Sequence, residues 1–335
     1  MNTVVPFADD LYHKNRPKLR VGPEEVLKLD DRVGLHPAMK GIKALWDEGQ
    51  VKVVQGVGYP RPNRSHFRSM EIWQSGALAA TPTSGWLGKA ADRTEGLGLC
   101  HVGAEAPPLA VRGRKAAAPS IASLADSRLI PGASLPMGGG RGPDRDDVSA
   151  AIGRRYEAAR ELSARLAAMK AATPASSPDS IAARLETVRA LIEADSPLRV
   201  YYTSQGGFDT HSGQKYTHQE LLKKTSDAIR SFLVSLRPSR LDERVVVLVF
   251  SEFGRRLREN ASAGTDHGAA APVILVGKPV RGGLLGPPPD LSDLEEGDPR
   301  FTTDFRDVYA TVLRHLFGIE SAPILGRCDE SLALF

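Results

Sequence analysis

Cysteine is almost absent: Cys100 and Cys328 are the only two in 335 residues. Two thiols so far apart fit neither a disulfide framework nor a zinc-ribbon spacing, so both read as ordinary thiols. Long apolar runs are missing as well. Nothing approaches the roughly 18 consecutive apolar residues of a membrane span, and Met1–Arg20 holds neither an apolar signal core nor a twin arginine. A one-signed charge excess is also lacking. Lys plus Arg number 44 and Asp plus Glu 40, a net +4 spread along the chain, which gives little support to nucleic-acid binding and leaves small acidic substrates open. What remains is ordinary globular composition, 41% hydrophobic and 25% charged, enough to bury a core in one large or two small domains. As written, the sequence reads as cytoplasmic.

Four short runs rich in valine and isoleucine predict buried strands: Val51–Val57, Leu198–Tyr202, Val245–Phe250 and Pro272–Val276. Helical patterns lie between them, over Pro37–Glu48 and over Thr217–Leu236. Alternating strands and helices predict an α/β fold with a mostly parallel central sheet flanked by helices. A different texture marks residues 85–195, expected as a helical insertion or cap between the two parts of the core, 1–84 and 196–335. Lys115–Asp146 is rich in Ala, Pro, Gly and Ser and predicts a surface excursion. Helices follow over Asp147–Ala171 and Ser180–Ala194. Near the end, Thr303 or Asp304 can cap a helix that stops at Gly318.

In parallel sheets ligands bind beyond the carboxyl ends of the strands. The polar clusters of this chain fall at those places. "GYPRPNRSHFRSMEIWQSG" follows the first run, "TSQGGFDTHSGQ" with Asp209 and His211 the second, and "SEFGRR" with Glu252 the third. The fourth run is preceded by "GTDHG", with Asp266 and His267, so His267 reaches the same edge only if that strand is antiparallel or its loop folds over. Histidines and carboxylates from separate strand ends suit a divalent metal, zinc or manganese, with calcium or magnesium as alternatives. Each residue alone also fits a plainer role: Asp209 in an Asx turn, Glu252 paired with Arg255 or Arg256. Ser65 can be the N-cap of the helix through Trp73, or a nucleophile at a helix start where an anion sits, and the two roles are compatible. His66 and Arg64 flank it and can contact an anion.

The set "RSHF", "GGFDTH", "SEFGR", "GTDHG" with "PVILVG", and "TTDFR", in that order, resembles an uncharacterised bacterial family. It is the domain of unknown function numbered fifteen hundred and one, within the alkaline phosphatase and sulfatase superfamily. The resemblance implies an alkaline phosphatase-like α/β core of two-metal hydrolase ancestry; the expected activity is hydrolysis of a phosphate or sulfate ester, on a small anionic substrate or a glycan. It implies Ser65 as the attacking hydroxyl and Asp209, His211, Glu252 and His267 as metal ligands; beside them His66 stands as a further catalytic candidate and Asp266 as a further metal ligand. Phe253 stands where many superfamily members carry a histidine. Relatives also begin with an apolar strand and an aspartate-bearing turn, with an export signal before them. The resemblance therefore predicts that the first strand, one ligand and any signal are missing here, leaving either a hydrolase or a non-catalytic binding or secretion-associated protein that keeps the fold.

Overall fold

Val51–Gly58 is the strand around which the larger sheet is built, and its burial explains its place. Val51, Val53, Val54 and Val57 are fully buried, and each such side chain contributes about 1.5–3 kcal/mol of transfer free energy. Even its polar members are buried: the Lys52 ammonium donates to the Gly282 carbonyl at 3.2 Å and the Gln55 amide to Gly286 at 3.0 Å. The computed structural model of the chain describes residues 1–78, 81–116, 118–122, 153, 179–326 and 331–335. These fall into two units, Met1–Leu78 with Gln205–Phe335, and Ala79–Ser204.

In the first unit the sheet is five-stranded and mixed, which corrects the expectation of a mostly parallel sheet. Ala271–Val276 lies between Val51–Gly58 and Val247–Val249 and runs antiparallel to both. Gly283–Leu285 and Thr303–Asp304 pair with Val51–Gly58 in parallel. The reason lies in the connection. A parallel return needs a crossover of a dozen or more residues, usually a helix. The segment 250–270 instead forms a hairpin, Arg255–Glu259 against Thr265–His267, so the chain re-enters the sheet from the edge it left. The carboxyl ends of Val51–Gly58 and Val247–Val249 and the start of Ala271–Val276 therefore meet at one edge. A separate small sheet pairs Val4–Val5 and Leu27–Lys28 with Gly34–Leu35.

Helices Lys40–Asp47 and Gln214–Ser235 pack closely, with Gly41 so near the second helix that a Cβ would stand 2.5 Å from the Ser226 carbonyl oxygen. Ser226 Oγ accepts from the Ile42 amide at 2.9 Å, satisfying one of the free N–H groups of the shorter helix. Helix Phe305–Phe317 is capped as its sequence predicts: Asp304 accepts from the Arg306 amide, and Gly318 closes it in the left-handed region. The second unit holds a three-stranded parallel sheet, Ser120–Ile121, Gly98–Val102 and Leu198–Tyr202, with helix Ile181–Glu193 capped by Ser180. Leu198–Tyr202 thus belongs to this sheet and not to the one carrying the other three predicted strands. The helix expected over Asp147–Ala171 lies outside the described residues, residue 153 apart, as do the predicted excursion beyond residue 122 and Cys328. Cys100 is buried, and burial pushes its thiol up to about 12.

Candidate metal centre

The site begins with helix His66–Ser75, which starts just beyond the end of strand Val51–Gly58. Its far end is anchored by Trp73, stacked on Phe250 at 5.4 Å and on Phe305 at 4.6 Å between ring centroids. Its near end is pinned by Ser69, whose hydroxyl donates to the Glu252 carbonyl at 2.6 Å and pairs with the Tyr59 hydroxyl at 2.8 Å. Tyr59 in turn accepts from the Asn63 amide. Ser65 is the N-cap residue, exposed, with extended backbone and no side-chain capping bond. Asn63 Oδ1 accepts the Ser65 amide instead, at 2.8 Å.

Asp209 and His211 lie on a loop that docks on the tip of the hairpin. The Gly213 and Gln214 amides donate to the Ser262 and Ala263 carbonyls, and Asn260 Nδ2 donates to the His211 carbonyl at 3.0 Å. Asn260 also shapes the tip, with Oδ1 accepting from the Ser262 and Gly264 amides. The hairpin register shifts between Thr265 and His267, a bulge of the kind that re-aims a side chain. Arg255, on the facing strand, is held by the Thr265 and Phe208 carbonyls and donates to Asp209 Oδ1 at 2.8 Å.

These elements bring three imidazoles to one carboxylate. Asp209 Oδ1 lies 2.9 Å from His211 Nε2 and 3.0 Å from His267 Nε2, and Asp209 Oδ2 lies 3.2 Å from His66 Nε2. His211 Nε2 and His267 Nε2 are 2.8 Å apart. Ligands about 2.1 Å from a metal stand about 3.0–3.4 Å from one another, close to these separations. One atom each from His66, Asp209 and His267 falls within a 4.8 Å span. The opposite ring nitrogens are tied down. His66 Nδ1 is 2.6 Å from Glu252 Oε1, His267 Nδ1 is 2.7 Å from the Arg64 carbonyl, and His211 Nδ1 is 3.6 Å from Asp266 Oδ1. Outer carboxylates and carbonyls of this kind orient metal-binding histidines.

A carboxylate and a carbonyl only accept, so Nδ1 of both His66 and His267 must carry the proton. A neutral ring then presents its Nε2 lone pair, and both lone pairs face the Asp209 carboxylate. That arrangement repels unless a donor or a cation lies among them: an Nε2–H of His211, 2.8 Å from His267 Nε2 and 2.9 Å from Asp209 Oδ1, an added proton, or a metal ion. The buried His66 Nε2 makes no hydrogen bond despite its 3.2 Å approach to Asp209, and a divalent ion held there would give it a partner. The residues present therefore fit a divalent ion. Burial raises the Asp209 carboxyl, but the hydrogen bond and charge of Arg255 and the neighbouring imidazoles outweigh it and hold the group far below the usual carboxylate range. Asp266 is lowered too, first by its hydrogen bond from Asn260.

Of the predicted ligands, Asp209, His211 and His267 meet at the centre. Glu252 stands behind His66, with its second oxygen accepting from Ser251 Oγ at 2.7 Å, and Asp266 stands behind His211. His66, expected to act in catalysis, turns its Nε2 toward Asp209 and so joins the candidate ligands. Sequence reasoning gave it no ligand role because "RSHF" offers no second ligand at helical spacing. Phe253 is buried and packs on the rings of His66 and His267, at 4.9 and 4.5 Å. The centre is closed on the side of Glu252 and His267, 13% and 18% exposed, and open on that of His211 and Asp209, 43% and 48% exposed.

Over residues 146–328, more than half its length, the chain matches the family described as protein of unknown function (DUF1501), and it belongs to that family. No curated protein and no solved structure matches it.

Proposed function

We propose that the chain is a metal-dependent hydrolase of a phosphate or sulfate ester, with its ion held by His66, Asp209, His211 and His267. The observation that carries this reading is the convergence of three Nε2 atoms on Asp209 while two of the opposite nitrogens are fixed as donors. An imidazole-rich set with one carboxylate favours zinc or manganese over calcium or magnesium. A bound ion would polarise the ester and lower the cost of its charge. The chain's own residues supply the rest. Ser65, exposed at the start of the helix that carries His66, is the nucleophile, and the backbone N–H groups at that helix start would face the anion. Glu252 holds His66 in its Nδ1–H form, and Arg255 holds Asp209 toward the imidazoles. The order of the motifs supports kinship with the alkaline phosphatase and sulfatase superfamily, and with it a small anionic ester or glycan as substrate.

A non-catalytic binding protein built on the same centre is a second reading, favoured by Phe253, which fills the place of a further imidazole. Hydrolysis separates the two. With zinc or manganese supplied, aryl phosphate or aryl sulfate should be turned over, and Ser65→Ala should lower kcat by at least 100-fold, on the order of the loss expected for a covalent nucleophile. Unchanged turnover in Ser65→Ala would remove the serine from the mechanism. Stoichiometric metal without turnover would favour the binding protein.

A further inference from the structure

Arg64 looks from the sequence like an anion-binding residue, but its guanidinium is already committed. Nε donates to Asp298 Oδ2 at 3.0 Å, Nη2 donates to the same oxygen, and Nη1 reaches Glu296 at 3.0 Å. Asp298 is 1% exposed, far less than a carboxylate usually tolerates without a paired cation. Its other oxygen, buried and without a hydrogen bond, faces the equally unpartnered Nε of Arg256 at 3.8 Å. This carboxylate therefore lies between two chain segments that serve the centre. One is Arg64–Ser65–His66, whose Arg64 carbonyl takes the His267 Nδ1 proton. The other is Arg255–Arg256, whose Arg255 holds Asp209. Asp298 itself sits on a short strand paired with Leu294–Glu295, and touches neither Asp209 nor any of the three imidazoles in the contacts described.

We propose that Asp298 is a positioning residue for the metal centre: by clamping Arg64 against Arg256 it fixes the carbonyl that keeps His267 in its Nδ1–H tautomer with Nε2 turned to the ion. The inference rests on the metal-centre reading above. It also removes Arg64 from the groups available to a substrate anion, so recognition of the anion falls to the ion and the helix start. The alternative is a buried ion pair that holds only the fold together.

The test uses the full chain with Asp298→Asn, which keeps the shape and removes the charge, and Arg64→Lys, which keeps the charge and removes the fork. Zinc and manganese affinities are measured by competition with a chelator, and the His267 Nδ1–H resonance is followed by NMR in chelator-treated protein. The expected result is a loss of metal affinity of about 10–100-fold in Asp298→Asn, as for other outer residues of metal sites, with faster solvent exchange of that proton. Arg64→Lys should show a smaller loss in the same direction. Metal affinity within twofold of wild type and an unchanged proton in both variants would overturn the inference. If wild type bound neither metal, the metal-centre reading would fail by itself, and a His267 proton that exchanges no faster in Asp298→Asn would then overturn the positioning role as well. If Asp298→Asn fails to fold, Arg64→Lys decides on the same two readouts.

Discussion

At the scale of single residues, proton positions do much of the work. Two histidines of the centre have one ring nitrogen committed to a group that can only accept, and the charge balance of the whole cluster follows from that. A second pair of histidines, away from the centre, behaves differently. His36 is buried, its Nδ1 accepts from the Ala38 amide at 3.1 Å, and its ring meets that of His218 at 6.0 Å between centroids. Burial pushes His36 down to about 4, and burial together with the charge of His36 pushes His218 down to about 3. Both folded values lie below that of an exposed imidazole, so the unfolded chain binds more protons from about pH 6.5 down to about pH 4 for His36 and about pH 3 for His218. Stability contributed by the neutral rings is complete above that window and is lost as pH falls through it. Each pH unit inside the window costs up to about 1.4 kcal/mol per group. The urea midpoint should therefore be lower at pH 5 than at pH 7, and His36→Gln should shrink the difference. An equal drop in the variant would place the sensitivity elsewhere.

At the scale of elements, what the sequence made legible was what depends on neighbours in the chain. Leu198–Tyr202 appears with the limits its apolar run suggested, and Asp304 and Gly318 bound their helix as their cap chemistry requires. Ser65 marked the start of the site helix, although its hydroxyl makes no capping bond and its own amide is taken by Asn63 Oδ1. Strand direction was not legible, because a buried antiparallel strand and a buried parallel one show the same valine-rich run. The hairpin between Phe250 and Ala271 decided it, and that same reversal carries His267 to the edge where Glu252 emerges. The Arg64–Asp298 pair was equally hidden, since 234 residues separate its members and nothing local marks a carboxylate for burial. Close approach between helices is a further property of this scale. At Gly41 an added methyl would meet backbone atoms of Ser226 that cannot swing aside. Gly41→Ala should thus destabilise the chain by about 1–3 kcal/mol despite alanine's better helix propensity, read as a fall in the urea midpoint at constant m-value. A rise in the midpoint would mean that the two helices part at little cost.

At the scale of the whole molecule, the first unit is assembled from both ends of the chain, Met1–Leu78 and Gln205–Phe335, and every residue of the proposed centre lies in it. The motifs that met there are more than 140 positions apart in sequence, from His66 to Asp209, so only the folded chain makes one site of them. No helix among the described residues is long and apolar enough to cross a membrane. Whether these scattered imidazoles and one carboxylate hold a divalent ion is decided by the metal bound per chain after loading with zinc or manganese and gel filtration, measured by elemental analysis for wild type, Asp209→Ala and His267→Ala. At least one ion per wild-type chain is expected, with its loss in each variant and the fold retained by circular dichroism. Wild-type protein that keeps no ion, or variants that keep it undiminished, would rule the metal centre out.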